Sequence, residues 1–445
     1  MKFININNKN KIFREVVLND DILYIQGSIN YSDIAIISKL KSGKVPNDLK
    51  GSFALVFISP KHWIGVVDHL CTTQLFYSAH HISPSLKDVK DNTKFLHEDP
   101  LCENQLKILK EHTVGDVTPW KEIKRIDFQH YAINGTQHQY ANILNNPISK
   151  YDSDDAYDLY TSKIKEICNQ DTAVMLSGGK DSAFIVMLLK EIGINPRLIH
   201  LTSKNINHSI DDRAIAKYKK LGWDIENHYV DYIGPNNEEE EELFSSNFWS
   251  DDTHPPKRRI VLDHKGPVIT GEVSIADIQR KTYGSYFANA YDKIKTTDVI
   301  NRYLIQKMTW TSRKAPFSMA PAALGDLYKS ETYEYILNHY LNIINELDQP
   351  IVYSHYSVFS HQAEAVRLYA QSQDPGVNWV SLFGDYDIYN MNLNMDWKYK
   401  DDMVNNVQKL PLYNVGVKLK AWTDISWGMP IVGLGIPDKK KFNNV

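Results

Sequence analysis

The sequence predicts an α/β protein of two domains, the first rich in short strands and the second built on a parallel sheet. Three observations predict this class. The chain has 445 residues, which is too long for one ordinary domain. Up to about residue 145 it reads as short strands separated by turn residues. Beyond that point strands and helices alternate, which is typical of parallel βαβ units with right-handed crossovers.

The strand-rich part is predicted from apolar runs that are rich in β-branched and aromatic residues. A hairpin is predicted where Asn134 and Gly135 separate two such runs, 131–133 and 137–140. The other predicted strands cover residues 22–25, 53–58 and 63–67.

Residues 145–155 form a polar segment that ends in residues able to cap a helix, so the domains are predicted at 1–148 and 149–445. Beyond residue 283 the chain is predicted to be mainly helical, most clearly at 333–347. The alternating elements before it are helix 157–167, strand 173–176, helix 184–189, strand 198–201, helix 210–221 and strands 228–230 and 267–270.

The composition narrows the range of partners and compartments. A formal net charge of −4 gives no electrostatic reason to expect a nucleic acid or an anionic membrane as partner. The three cysteines, Cys71, Cys102 and Cys168, are far apart, which argues against a zinc site or a disulfide framework. No apolar run approaches the ~18 residues of a membrane span. We expect a soluble cytoplasmic protein. The sequence leaves open whether it forms a homodimer.

The most informative segment is 174–182, with the sequence Val-Met-Leu-Ser-Gly-Gly-Lys-Asp-Ser. A buried strand is followed by a turn and then by a helix. Gly178 and Gly179 allow backbone angles and a close approach that a Cβ atom would block. The amides of the turn and the N-terminus of the helix then favour a bound phosphate. The sequence therefore predicts a phosphate-binding loop.

Side chains of the same segment fit this chemistry. Ser177 and Ser182 supply hydroxyl donors, and Asp181 is suited to hold Mg²⁺ against phosphate oxygens. A tight turn with a Ser/Asp helix cap is the alternative, but the full string between strand and helix favours phosphate. The string matches pyrophosphate-loop ATPases, which cleave ATP between the α and β phosphates and transfer AMP. Lys180, at the variable position, occurs in several branches and does not choose among them.

The chain as a whole resembles glutamine-dependent asparagine synthetase. In the first part, segment 67–77 is similar to the family's R-D-x-x-G-x-x-P-L-Y-Y motif, with the Gly and Pro replaced. Segments 49–56 and 118–127 are similar to two further strand motifs of the family. The resemblance implies a class II amidotransferase-like domain over 1–148, an αββα sandwich of the Ntn-hydrolase type.

In the second part the resemblance implies a parallel-sheet domain of the adenine nucleotide α-hydrolase type, with a helical C-terminal part. The segments that carry it, in the order of the family, are 177–182, 211–216, 270–274, 383–385 and 429–442. The family pattern implies that adenine lies near Leu201 and Thr202. It also implies that Gly271 and Glu272 belong to the ATP site. In doubly wound sheets ligands collect at the carboxyl ends of strands, where these segments fall.

One departure from the family concerns glutamine. Members that hydrolyse glutamine carry a cysteine directly after the initiator methionine, and its free amine activates the thiol. Lys2 stands at that position here. The first domain is therefore expected to lack glutaminase activity and to be a structural remnant, as in beta-lactam synthetase and lasso peptide cyclases.

Another departure concerns the metal and the late lysine. Ile275 and Ala276 replace the family's acidic pair, so Asp277 is a candidate metal ligand beside Asp181; the alternatives are that Asp181 and Glu272 hold the metal or that the site is impaired. The family also uses a late lysine that stabilises charge during attack on the acyl-adenylate. Counted from the terminal motif, Lys418 is the candidate, with Lys420 as the other option.

The predicted function is an ATP- and Mg²⁺-dependent ligase that adenylates a carboxylate, on a small molecule or a peptide, and joins it to an amine or ammonia. Three alternatives stay open. The first is an ammonia-dependent asparagine synthetase. The second is a nucleotide-binding pseudoenzyme that regulates a partner. The third is a pyrophosphate-loop protein that modifies tRNA or nucleobases, although neither a cysteine-rich metal site nor a basic RNA-binding domain is visible in the sequence.

Overall fold

The computed structural model describes residues 2–3, 13–69, 71–109, 113–127, 130–139, 153–176, 180–202, 216, 218–231, 234–240, 254–271, 330–345, 371, 374, 376–394, 415 and 418–419. The chain divides into two compact units. The first unit takes in Met1–Asn145, Glu241–Asp251 and Ile294–Pro375, and the second unit takes in Asn146–Glu240, Asp252–Lys293 and Gly376–Val445. The domain limits 1–148 and 149–445 stay a prediction.

The described elements are mostly strands up to residue 139, and beyond that residue helices and strands alternate. Up to residue 139 they are β1 (Lys2–Phe3), β2 (Arg14–Leu18), β3 (Asp21–Ile29), α1 (Asp33–Leu40), β4 (Gly51–Ile58), β5 (Trp63–Val67), β6 (Phe76–Tyr77), β7 (His81–Ser83), α2 (Leu86–Asp91), α3 (Pro100–Leu109), β8 (Lys124–Arg125), β9 (His130–Ile133) and β10 (Thr136–Gln139). They continue with α4 (Ser153–Ile167), β11 (Ala173–Leu176), α5 (Lys180–Glu191), β12 (Arg197–Thr202), β13 (Ile225–Tyr229), α6 (Glu238–Glu240), α7 (His254–Val261), β14 (Val268–Ile269), α8 (Glu331–Asn345), β15 (Trp379–Val380) and α9 (Tyr386–Asn394).

A six-stranded antiparallel sheet, in the order β10-β9-β5-β4-β3-β2, forms the largest part of the first unit. Successive side chains of a strand point to opposite faces. On one face Phe53, Leu55 and Phe57 of β4 pack against Ile37 and Leu40 of α1. This face of the sheet is therefore covered by a helix.

The other face of this sheet packs against a four-stranded sheet, in the order β1-β7-β6-β8. A Cβ atom added to Gly65 of β5 would lie 2.8 Å from Cδ1 of Ile82 and 2.9 Å from Cδ1 of Ile126. The rings of Trp63 and Tyr77 meet across the sheets at 5.6 Å between centroids. The layers of the unit are therefore helix, sheet, sheet, helix, because α2 covers the far face of the smaller sheet through Phe76, Leu86 and Val89.

Helix α8 also belongs to the first unit, although it follows β14 in the chain. Tyr335 lies against Gly115, whose φ of +73° and missing Cβ leave room for the tyrosine hydroxyl. His339 Nδ1 lies 3.6 Å from Oδ2 of Asp127. Arg125, beside Asp127, donates to the carbonyls of Gly115 and Thr113, each at 2.6 Å. A buried polar cluster therefore joins α8 to the loop before β8.

The second unit contains a five-stranded sheet in the order β13-β12-β11-β14-β15, and every pair in it is parallel. Met175 of β11 and Ile199 of β12 pack with Val261 of α7 on one face. On the other face of β11, Phe184 of α5 packs against Tyr160 and Phe383, with ring centroids 5.0 and 6.1 Å away. Helices thus cover both faces, and the prediction of an α/β protein with a parallel sheet is confirmed.

Cys71, Cys102 and Cys168 are buried, and each is a free thiol. None of the helices in the described ranges has both the length and the apolar character needed to cross a membrane.

Candidate functional site

The carboxyl edge of the parallel sheet contains a topological switch point. Taken in chain order, the strands lie 3-2-1-4-5 across the sheet, so that β11 is flanked by β12 on one side and β14 on the other. β11 and β14 lie side by side, and the strands that follow them in the chain, β12 and β15, lie on opposite outer sides of this pair. Open α/β sheets bind ligands at such a switch point, outside the carboxyl ends of the strands.

The segment after β14 meets the first turn of α5 at this edge. Strand β11 ends at Leu176 and α5 begins at Lys180. A Cβ atom added to Gly271 would lie 3.2 Å from Cβ of Asp181 and 3.3 Å from the amide nitrogen of Ser182. The structure therefore brings together three residues that the sequence assigned to the ATP site, although 89 positions separate Ser182 from Gly271.

The two side chains in the first turn of α5 have different environments. Ser182 is fully buried, with 0% of its surface exposed, whereas Asp181 is half-buried. A carboxylate at a helix N-terminus is stabilised by the helix dipole. Asp181 therefore places a carboxylate in the first turn of α5, and carboxylate oxygens are ligands that Mg²⁺ prefers.

Within the described ranges no group of three or more His, Cys, Asp or Glu side chains is arranged to hold a metal ion. Mg²⁺ is commonly held by one or two carboxylates together with phosphate oxygens and water. The donor set at this edge therefore fits a magnesium ion that arrives with a polyphosphate.

The predicted adenine residues lie at the carboxyl end of β12. Leu201 and Thr202 pair in register with His228 and Tyr229 of β13. Leu201 is buried and Thr202 is half-buried. Both residues thus lie at the same edge of the sheet as the first turn of α5, one strand away from β11.

His200, which the sequence reading did not single out, lies at the base of the same edge. Its Nδ1 is 2.9 Å from the carbonyl oxygen of Leu176, the last residue of β11. Burial lowers the pKa of His200, so the ring is neutral at pH 7. The one available signal was a polar residue inside the otherwise apolar run from Leu198 to Leu201.

Lys418, the candidate late lysine, contacts the first turns of α4. Its Nζ lies 3.6 Å from Oδ1 of Asp154 and 3.7 Å from the centroid of the Tyr157 ring. About half of the side chain is exposed. Its catalytic role stays a prediction.

Several predicted site residues lie outside the described residues. They are Ser177, Gly178, Gly179, Glu272, Asp277 and the alternative lysine Lys420, together with the side chain of Lys180.

The segment Phe383-Gly-Asp385, which resembles a motif of the family in sequence, lies directly before α9. Oδ1 of Asp385 accepts hydrogen bonds from the amides of Asp387 and Ile388 at 2.9 and 3.2 Å. Oδ2 of Asp385 lies 3.2 Å from Nζ of Lys163. Burial opposes the charge of Lys163, but hydrogen bonds and charges of Asp387 and Asp385 raise its pKa overall. Asp385 therefore acts as a helix cap with an ion pair.

Cys71 stands where the amidotransferase motif has glycine. Its φ is +50°, in the left-handed region that favours glycine, so the backbone keeps a glycine-like bend. Burial raises the pKa of the Cys71 thiol well above its ordinary value. Burial also raises the pKa of Cys102 to about 12 and that of Cys168 to about 11. None of the three thiols is thus poised as a thiolate nucleophile.

Comparison with known proteins gives a partial structural similarity. No protein-family model matches the chain, and no curated protein matches it. Among solved structures, the chain is similar to the U34-tRNA thiolase NcsA from Methanococcus maripaludis with its [4Fe-4S] cluster. The identity is 17%, and the match covers 45% of this chain and 82% of the thiolase. The TM-score is 0.21, which is too low to support a conclusion about ligand or reaction.

Proposed function

We propose that the chain is an ATP-dependent carbon–nitrogen ligase that adenylates a carboxylate and transfers the acyl group to an amine. The observation that carries the proposal is the meeting of Gly271 with Asp181 and Ser182 at the switch point of a parallel sheet. The string 177–182 joins β11 to α5 at this place in the sequence. A diglycine string, a helix N-terminus and a carboxylate at one edge together favour a polyphosphate with magnesium.

In this proposal each residue has a defined task. Backbone amides of 177–182 bind the β and γ phosphates of ATP, and Asp181 holds Mg²⁺, which neutralises phosphate oxygens. Leu201 and Thr202 lie beside the adenine. Because Gly271 has no side chain, the backbone just before Glu272 can approach the first turn of α5 and the phosphates bound there.

The reaction consists of two displacements. A carboxylate oxygen of the substrate attacks the α-phosphorus of ATP. The bond between the α-phosphorus and the oxygen that bridges to the β-phosphorus breaks, and pyrophosphate leaves with that oxygen. The amine nitrogen then attacks the acyl carbon, loses a proton, and expels AMP. Lys418 is proposed to stabilise the oxyanion of this second step, and positioning supplies most of the rate.

In this proposal the amine comes from free ammonia or from a substrate amine, and no step depends on a glutaminase in the first unit. Lys2 occupies the position of the family's cysteine. The raised pKa of the buried Cys71 thiol also argues against a substitute nucleophile in the first unit.

The test is ATP–pyrophosphate exchange with a panel of carboxylic acids, comparing the wild type with Asp181→Ala. We expect one or more acids to support exchange and the substitution to reduce it about 100-fold or more. Asp224→Ala is the matched control, because it removes an exposed carboxylate just before β13, at the opposite edge of the sheet. Exchange that survives Asp181→Ala would remove Asp181 from its task, and no exchange with any acid would contradict the ligase.

One sequence observation favours an alternative, in which the protein binds ATP but regulates a partner. Ile275 and Ala276 stand where the family has an acidic pair. This alternative predicts ATP binding without release of AMP for every acid and amine tested. Formation of asparagine and AMP from aspartate, ammonia and ATP would instead identify an asparagine synthetase. Co-purification of RNA would favour the class that modifies tRNA.

A further inference from the structure

We propose that His200 is a positioning residue for the nucleotide, because its Nδ1–H holds the Leu176 carbonyl from which the chain leaves β11 toward residues 177–179. The inference rests on the proposed function, since it concerns how the same ATP site is kept in place. The contact measures 2.9 Å between Nδ1 and the carbonyl oxygen. It joins two neighbouring strands of the sheet, β11 and β12.

The contact lies where the ladder between the two strands ends. The last register pair of β11 and β12 is Leu176 with His200, whereas β12 continues for two more residues. The side-chain hydrogen bond therefore adds a constraint at the point where backbone pairing stops holding β11. Both residues are buried, at 4% and 3% exposed, so water does not compete for the carbonyl.

The chemistry of the pair defines the tautomer. A carbonyl oxygen only accepts, so Nδ1 carries the hydrogen and Nε2 carries the lone pair. A neutral imidazole also avoids the cost of burying a charge between Ile199 and Leu201.

Packing alone does not explain a histidine at this position. The neighbours Leu198, Ile199 and Leu201 are buried and apolar, and a β-branched residue would suit such a strand at least as well. A buried imidazole carries a desolvation cost that only its hydrogen bonds offset. The bond to Leu176 is therefore the feature that a functional histidine would provide and an apolar residue would not.

The direction of the chain at Leu176 matters because a phosphate cradle depends on where its amides point. A rotation of the backbone at Leu176, the last residue of β11, would shift the amides that follow it in the chain. Misplacement by about 1 Å can cost a site about 100-fold in rate. Loss of the hydrogen bond that fixes the Leu176 carbonyl should therefore weaken the binding of ATP more than it destabilises the fold.

The experiment compares three variants of the full chain. His200→Asn places an amide Nδ2 close to the position of Nδ1, His200→Gln moves the amide toward the position of Nε2, and His200→Val removes the donor from a strand that accepts valine. Binding of ATP–Mg²⁺ is measured by isothermal titration calorimetry, and folding is measured by circular dichroism and thermal unfolding.

We expect Asn to bind ATP within about 2-fold of the wild type, and Gln and Val to bind about 5- to 10-fold more weakly while they remain folded. In the exchange assay, the Gln and Val variants should have a raised KM for ATP and a kcat that changes less, whereas the Asn variant should resemble the wild type. Rescue by Asn but not by Gln is a pattern that a purely structural histidine would not produce.

Other outcomes overturn the inference in ways that can be told apart. Wild-type affinity in the Val and Gln variants refutes the role of His200 and leaves the ATP site standing. Weakening of ATP binding in all three variants in proportion to their loss of thermal stability assigns His200 to the fold alone. Failure of the wild type to bind ATP refutes the proposed function itself. If His200→Val does not fold, the ATP affinities of the Asn and Gln variants decide whether His200 positions the nucleotide.

Discussion

At the scale of single residues, the missing side chain of Gly271 decides how closely two segments of the sheet edge approach. The positions that a Cβ would meet are Cβ of Asp181, at 3.2 Å, and the amide nitrogen of Ser182, at 3.3 Å. Both distances are shorter than ordinary van der Waals contacts between such atoms. The amide belongs to the first turn of α5 and moves only if the helix moves. An added methyl group would therefore displace the residues that are proposed to hold phosphate and metal.

Gly271→Ala is expected to weaken the binding of ATP–Mg²⁺ about 10-fold and to lower the free energy of unfolding by only about 1 kcal/mol, because the strain is local. Isothermal titration calorimetry and urea unfolding measure the two quantities. Gly193→Ala is the control, since Gly193 has a φ of +80° just after α5 and nothing lies within 4 Å of its missing Cβ. This control should cost about 1 kcal/mol of stability and leave ATP affinity unchanged. Equal ATP affinity in both variants would contradict the assignment of Gly271.

At the scale of secondary-structure elements, Lys163 of α4 contacts two carboxylates at the start of α9, and one of them, that of Asp385, also caps the helix. Oδ1 of Asp385 caps the amides of Asp387 and Ile388, and Oδ2 contacts Lys163. Lys163 also lies 3.0 Å from Oδ2 of Asp387, and its side chain is 19% exposed. The cap and the ion pair are thus separable by mutation.

Asp385→Asn keeps an oxygen for the cap and removes the charge, whereas Asp385→Ala removes both. We expect the alanine variant to be less stable than the asparagine variant by about 1 kcal/mol, which is the usual value of a helix cap. Urea unfolding of the two variants and the wild type provides the measurement. Loss of pyrophosphate exchange in Asp385→Asn without any loss of stability would show instead that this carboxylate belongs to the reaction.

Elements with strong local patterns were predictable from the sequence. The strands 63–67 and 173–176 were predicted at the bounds that β5 and β11 have, and α8 occupies Glu331–Asn345 where 333–347 was predicted. β13 begins at Ile225, three residues before the predicted strand 228–230, because its polar and mostly exposed residues give no apolar pattern. β3 extends to Ile29, beyond the predicted 22–25, because Gly27 continues the pairing with β4. In the sequence alone, Gly27 favours a turn and so indicates an earlier end of the strand.

The candidate site was predictable only as a set of segments. The string 177–182 and the segment 270–274 each carry local signals, such as glycines after a buried strand. The order of the strands and the contact of His200 with Leu176 join residues far apart in the chain. Such pairings leave no periodic pattern, so a single sequence does not reveal them.

At the scale of the whole molecule, chain order and spatial grouping differ. Helix α8 follows the first four strands of the parallel sheet, but it packs in the first unit. It brings Tyr335 to Gly115 and His339 to Asp127. Ile336 and Tyr340 on the same helix are fully buried. The first unit therefore uses apolar and polar surface from a distant part of the chain, which a boundary drawn from local composition does not anticipate.

Buried histidines should make the first unit sensitive to acid. Burial is the main cause that lowers the pKa of His69, with Lys50 as the smaller cause, from 6.5 to about 4. Burial likewise lowers the pKa of His339. The unfolded chain therefore binds more protons than the folded chain between pH 6.5 and 4. Stability is fully present above pH 6.5 and is lost as the pH falls through this window.

For His69 alone the loss between pH 7 and pH 5 is expected to be about 2 kcal/mol. Hydrogen–deuterium exchange in β4 and β5, measured at several pH values, reports the stability of the first unit in the full chain. His69→Gln should flatten the dependence on pH, because the titrating ring is gone. His80→Gln, which changes an exposed histidine three residues after β6, should leave the dependence as it is in the wild type. A slope unchanged in His69→Gln would show that this histidine is already charged in the folded protein or is not buried, and would assign the acid sensitivity to α8 and His339.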